Sequence, residues 1–298
     1  MKSTAPQGFE HHRIQIGNVS LSAHSGGSGV PLLFLHGYPQ THATFAKVIP
    51  EFMQHFRCVL VDLPGYGLST VKDPLPEGAS FSKRAMAQNI VEMMRQLGHE
   101  KFSVLGHDRG ARVAYRMAMD HPDIITKIGI IEIVPTSDMW NAFNAEMALK
   151  AYHWTFLAQP YPMPENMINA DPVTYCDWTL KSWTLAKSLD AFAPDVLESY
   201  RKMFRNPDCV HAMCEDYRAG ATIDRQLDEA DQAAGNKIRA PLHFVWSTNG
   251  FPASTGDPIG IWRNWADTVT GNDIIAGHFA QEENPQGIID SFVPFFRD

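Results

Sequence analysis

Asp108 stands in Gly106-His107-Asp108-Arg109-Gly110-Ala111, directly after the apolar run 102–105 and ahead of residues 112–119, which carry a helical pattern. A strand, a glycine-flanked turn and a helix in that order describe the nucleophile elbow, G-x-Nu-x-G. Its glycines permit a strained turn that lifts one side chain into a pocket. That position usually holds serine; here it holds a carboxylate. A carboxylate does not carry out acyl transfer as serine does, but it can displace a leaving group at an sp³ carbon. The residue type therefore points to covalent displacement and away from esterase and protease chemistry.

Three further features supply what such a nucleophile needs. His36-Gly37-Tyr38-Pro39 ends the first run of parallel-strand type, where the turn can aim a backbone N–H into the pocket. The amides of Tyr38 and Arg109 are then the expected oxyanion hole. Gly277-His278-Phe279 lies late in the chain, after the apolar stretch 274–276, and offers His278 as the general base. Glu132 falls at the end of the apolar run 128–134, where it can orient that histidine.

These residues need a frame. Short apolar runs at 31–35, 58–61, 102–105, 128–134 and 241–246 have strand length, and most are followed by a turn signal or a helical pattern. Together they predict βα units around a largely parallel sheet. Residues 11–16 and 19–23 alternate and predict an antiparallel hairpin. From about Ser137 to Gly220 the pattern changes: Trp140, Phe143, Trp154, Trp178, Trp183 and Tyr217 recur at helical spacing with no clear strand. The expected fold class is α/β, an α/β-hydrolase arrangement with residues 1–136 and 221–298 as core and 137–220 as an inserted helical cap. A lid of that kind makes a water-poor pocket over the strand ends.

Composition narrows the partners. With 298 residues and 44% hydrophobic side chains the chain can bury a sizeable core. Its formal charge of −8 argues against nucleic acid or an anionic membrane, though not against a small anion met by local arginines. Cys58, Cys176, Cys209 and Cys214 form no CxxC pair, and no His-rich or Cys-rich tract has metal-ligand spacing. The start has no apolar leader segment and no stretch is apolar enough to span a bilayer, so a reduced cytoplasmic setting is expected.

The motifs carry a resemblance over nearly the whole chain. His36-Gly37-Tyr38-Pro39-Gln40-Thr41-His42, Asp62-Leu63-Pro64-Gly65-Tyr66-Gly67, Gly106-His107-Asp108-Arg109-Gly110-Ala111-Arg112, Tyr152-His153-Trp154, Cys214-Glu215-Asp216-Tyr217-Arg218-Ala219-Gly220 and Gly277-His278-Phe279 resemble the fluoroacetate dehalogenases of the α/β-hydrolase superfamily. The D-R-G-x-R run and the His-Trp pair are the specific segments. The resemblance implies Asp108 as nucleophile, His278 as base, Arg109 and Arg112 as clamps on a substrate carboxylate, and His153, Trp154 and Tyr217 as the halide pocket. It also implies a homodimer, a small haloacid substrate and no metal or organic cofactor. Two positions depart from the family pattern. Glu132 stands where aspartate is usual, one methylene longer, and Tyr38 where phenylalanine is frequent.

Physical chemistry agrees with these roles. Arg109 and Arg112 are three apart at a helix start and can face one side. Guanidinium forks match a carboxylate, and their charge favours the ionised form of Asp108. Fluoride leaves with concentrated charge, so N–H and O–H donors such as those of His153, Trp154 and Tyr217 lower the barrier to its departure. An epoxide hydrolase would use the same aspartate and histidine, with Tyr152 and Tyr217 as acids, but paired arginines suit an anion better than a neutral epoxide. A non-catalytic receptor on this fold would not need Asp108, Glu132 and His278 together.

Overall fold

The computed structural model describes residues 8–298; the first seven residues assigned to the core lie outside it. Nine strands form one sheet: β1 (Glu10–Ile16), β2 (Val19–Gly27), β3 (Val30–Leu35), β4 (Phe56–Val61), β5 (Thr70–Val71), β6 (Phe102–His107), β7 (Ile125–Ile131), β8 (Leu242–Ser247) and β9 (Val269–Ile274). Their order is β1-β2-β4-β3-β6-β7-β8-β9, with β5 on β2. β1, β2 and β4 pair antiparallel, and every neighbour from β4 to β9 pairs parallel. The α/β class read from the sequence is the observed one.

The central strands are apolar on both faces because both faces are covered. Leu33, Leu35, Val59, Val61 and Val104 pack into one cluster with Met86, Ile90, Val113 and Tyr115 of α1 (Lys83–Gln96) and α2 (Arg109–Asp120). Leu32, Phe34, Leu60 and Leu105 point the other way, onto Phe52, Phe292 and Phe296. This is the period of two expected of strands buried on both sides.

The chain reverses its winding at β3, whose neighbours are β4 and β6. In open α/β sheets ligands bind beyond the carboxyl ends of strands at such a switch point. Here the turn at Gly37 follows β3, Asp108 follows β6 and Glu132 follows β7.

Between β7 and β8 the chain contains helices and no strand, among them α3 (Thr136–Asn141), α4 (Tyr152–Leu157) and α5 (Pro207–Ala221). α5 runs one residue past the boundary expected at 220. The C-terminal α6 (Pro285–Arg297) covers the second face.

Two sequence expectations shift. The apolar run 128–134 is a strand only to Ile131, because Glu132 takes a left-handed φ of 61° and turns the chain off the sheet. β9 escaped the sequence reading because it is an edge strand, Val-Thr-Gly-Asn-Asp-Ile, with no fully buried position. All four cysteines are free and buried. Among the described residues no helix is long and apolar enough to cross a membrane.

Candidate active site

The elbow forms because two glycines let three backbone segments meet. A Cβ on Gly110 would fall against the carbonyl oxygens of Leu35 and His36, so α2 could not start so close to β3. A Cβ on Gly37 would sit 2.5 Å from the Cβ of Asp108. Between them Asp108 adopts φ 46° and ψ −117°, a conformation L-residues seldom hold unless their surroundings enforce it.

The Tyr38 N–H donates to Oδ2 of Asp108 at 2.9 Å, so one of the two expected oxyanion donors already meets the carboxylate. Burial pushes the Asp108 carboxyl up, but His278, His107, Arg109 and Arg112 outweigh it and hold it below its ordinary value. The group is therefore charged at neutral pH.

His278 lines the same cavity. Burial lowers its pKa below the ordinary 6.5, against the pull of Asp108 and with a further push from Arg112, so the imidazole is mainly neutral at pH 7. Its backbone is pinned on both sides. The His278 N–H donates to the Trp183 carbonyl at 2.9 Å, and Nε2 of His107 donates to the His278 carbonyl at 2.8 Å. His107 thus ties the nucleophile turn to the loop of the base. Burial, helped by His278, drops its pKa to about 3.

Glu132 is brought to the cavity but makes no hydrogen bond or ion pair with His278. Its carboxylate accepts the Ser247 N–H at the end of β8 and lies over Gly250, where a Cβ would collide with Oε1. Burial, partly offset by the Ser247 N–H, raises its pKa to about 8.

The two arginines are less free than a pair of open forks. Arg109 is fully buried, and its Nε and Nη2 donate to the carboxylate of Asp216 at 3.0 and 2.6 Å. Behind it, Asp216 also takes the Lys83 ammonium and the Tyr66 hydroxyl, the latter at 2.7 Å. Only Nη1 of Arg109 is buried without a partner. Arg112 donates through Nη1 to Val134 O and Thr136 Oγ1, both at 3.1 Å, and its Nε has no partner. Two of the Arg109 nitrogens are thus taken by Asp216, which leaves Nη1 for a substrate carboxylate.

His153, Trp154 and Tyr217 gather on the side of the inserted helices. Tyr217 stacks edge-on to Trp154 and His153 at 6.0 and 5.6 Å, and the Arg109 guanidinium lies 4.2 Å from the Tyr217 ring centre. The Arg112 guanidinium lies 4.6 Å from the Trp154 ring centre. His153 has its pKa lowered to about 3 by burial and is neutral. Asp108, Arg112, Glu132, His153, Trp154 and His278 line one cavity of about 1100 Å³. Arg109 and Tyr217 stand behind that lining, against Trp154.

Sequence reasoning passed over Asp216 and Lys83 and gave Trp183 no role in the site. Trp183 lines the cavity, with its ring 4.3 Å from His153 and 5.4 Å from His278. Asp216 lay inside a quoted motif, but nothing in its spacing shows that Lys83 and Arg109 reach it. Away from this site, Glu165, His211 and Glu215 gather ligand-type atoms within 4.8 Å of one another. The Arg218 guanidinium bridges both carboxylates at 2.7 and 2.6 Å, which makes this an ion-pair cluster.

A nine-stranded sheet wound about β3, with a carboxylate in the elbow and a histidine lining the same cavity, defines the class. The chain belongs to the alpha/beta hydrolase fold family, whose profile matches residues 30–285. Within that family it is similar to a fluoroacetate dehalogenase from Burkholderia sp, 38% identical over 279 residues, 94% of this chain and 91% of that protein. It is also similar to a soluble epoxide hydrolase from Corynebacterium sp., 29% identical over 96% of each chain. Among solved structures, a provisionally named epoxide hydrolase from Pseudomonas aeruginosa, in a mutant form with bound MFA, superposes with a TM-score of 0.92. It is 42% identical, over 97% of this chain and 96% of that one.

Proposed function

We propose that the protein hydrolyses the carbon–halogen bond of small 2-haloacids, such as fluoroacetate or chloroacetate, to glycolate and halide. The observation that carries this reading is the Asp108 carboxylate, ionised in a strained elbow and sharing one cavity with the neutral His278 and with Arg112. In the first step an Asp108 oxygen attacks the α-carbon from the side opposite the halogen. The carbon–halogen bond breaks, and the enzyme is left as a glycolyl ester. Arg112 and the single free nitrogen of Arg109 hold the substrate carboxylate, and the donors of His153, Trp154 and Tyr217 receive the departing halide.

In the second step His278 takes a proton from water, and the oxygen adds to the Asp108 carboxyl carbon. The amides of Tyr38 and Arg109 hold the oxyanion until the ester bond breaks and glycolate leaves. Glu132 serves His278 by swinging from Ser247 and giving up its proton once the imidazole is charged. The inserted helices, residues 137–220, serve as the cap that keeps bulk water from the ester. A homodimer in the cytoplasm belongs to the same reading, and size-exclusion chromatography tests the dimer.

A second reading is epoxide hydrolysis by the same aspartate and histidine. The similarity to the Corynebacterium enzyme favours it, and so does Tyr152, which lines the cavity. The arginines beside Asp108 weigh toward an anionic substrate. Halide release from chloroacetate and fluoroacetate, measured beside diol formation from styrene oxide, decides between them. Halide without diol supports dehalogenation; diol without halide overturns it.

A further inference from the structure

Arg112 is held in a different way from Arg109. Arg109 pairs directly with Asp216, whereas Arg112 makes no ion pair with a carboxylate among the described residues. Its Nη1 instead donates to the Val134 carbonyl and the Thr136 hydroxyl, both at 3.1 Å. Thr136 Oγ1 lies 2.8 Å from the Tyr115 hydroxyl, which donates to Oδ2 of Asp228 at 2.8 Å. The Thr136 N–H also donates to the Tyr115 oxygen, at 3.1 Å. Arg112, Tyr115, Thr136 and Asp228 are each at most 2% exposed, so bulk water does not compete for these bonds.

The chemistry of the four groups sets the direction of this relay. A guanidinium only donates, and an ionised carboxylate only accepts. Burial raises the Asp228 pKa to about 6, against the Tyr115 hydroxyl, the Arg116 guanidinium and the Ser137 N–H, so the carboxylate is mostly ionised at pH 7. Tyr115 then gives its one proton to Asp228. The Thr136 hydroxyl proton goes to Tyr115, and the lone pairs of Thr136 Oγ1 are left to Arg112. Hydrogen bonds aligned in this way polarise one another. Asp228 sits on the helix Ile223–Ala234, and its Oδ2 also accepts the Ser137 N–H at 3.1 Å. The relay therefore anchors Arg112 to the place where the inserted helices leave the core.

We infer that Tyr115 and Asp228 are positioning residues, which act through Thr136 to hold Arg112 with its unpartnered Nε available to the carboxylate of a substrate. That Arg112 meets a substrate carboxylate rests on the proposed dehalogenation; the relay itself does not.

Acetate carries the carboxylate and no leaving group, so calorimetric titration with acetate reads this role without turnover. Tyr115→Phe and Asp228→Asn each break the relay away from the cavity, and thermal melts establish that the variants are folded. Each is expected to weaken acetate about threefold to tenfold, the range for one lost hydrogen bond. The KM for chloroacetate is expected to rise by a similar factor, with kcat changed less. Thr136→Val cuts the relay next to Arg112. In that background Tyr115→Phe is expected to weaken acetate by no more than about twofold further, as coupled neighbours do. Unchanged acetate affinity in the folded Tyr115→Phe and Asp228→Asn variants overturns the assignment, as do losses that simply add in the double variant. Halide release from chloroacetate with unchanged acetate affinity overturns the positioning role and leaves the reaction standing. Non-additive losses of acetate affinity in a protein that releases no halide support the positioning role and overturn the reaction.

Discussion

Asp216 holds Arg109 by two of its nitrogens, Nε at 3.0 Å and Nη2 at 2.6 Å, and Nη2 also donates to the Asp216 carbonyl at 2.8 Å. Both side chains are fully buried. Burial pushes the Arg109 pKa down and the Asp216 pKa up, and in each case the partner's charge reverses the shift. The pair therefore stays ionised, and Arg109 can turn only one nitrogen toward a ligand.

Breaking such a pair leaves an uncompensated buried cation, at a cost of about 3–5 kcal/mol. Asp216→Asn is expected to lower the melting temperature and to raise the KM for chloroacetate more than tenfold, with kcat changed less. Tyr66→Phe removes one neutral donor to the same carboxylate and is expected to raise KM less than threefold. Steady-state kinetics on folded variants measures both.

Arg112 is expected to matter through binding. A charge-assisted hydrogen bond is worth about 1.5–3 kcal/mol, so Arg112→Gln should raise KM roughly tenfold to 150-fold. Its guanidinium also covers Trp154 and bonds Val134 and Thr136. Part of the loss should therefore appear as reduced stability in thermal melts.

The His278 pKa is lowered from the ordinary 6.5, with burial as the main cause. A base must be neutral to act, so kcat is expected to be flat above pH 7 and to fall only below that ordinary value. The pH–rate profile reads this directly. His278→Asn is expected to release one equivalent of halide and then stall as the ester, visible as a burst followed by mass addition at Asp108.

Glu132 gives a stability signature. Its folded pKa is raised from 4.5 to about 8, mainly by burial. Between those values the folded protein keeps a proton that the unfolded chain releases, so stability falls as pH rises through the window. Glu132→Gln cannot ionise. Its melting temperature relative to the wild type is expected to rise from pH 5 to pH 8.

How legible this site was in the sequence depended on whether a local pattern carried it. The elbow could be read because Gly106 and Gly110 bracket Asp108 between an apolar run and a helical one. The Tyr38 amide could be placed because its turn follows β3, next to β6. Asp216 gave no such signal: its partners lie 107 and 133 residues away and meet it only through α5 packing on the core. Glu132 misled in part because Ile133 and Val134 continue the apolar run after the strand has ended. β9 went unread because its exposed edge lacks the apolar pattern that marks a buried strand.

The central claim is that Asp108 itself becomes esterified, and one turnover in heavy-oxygen water tests it most directly. With enzyme in excess over chloroacetate, water attacks the carboxyl carbon of the ester. The label is then expected in the peptide carrying Asp108, while the first glycolate released is unlabelled. Label in that first glycolate, with Asp108 unlabelled, would mean that water attacks the substrate directly and would contradict the covalent route.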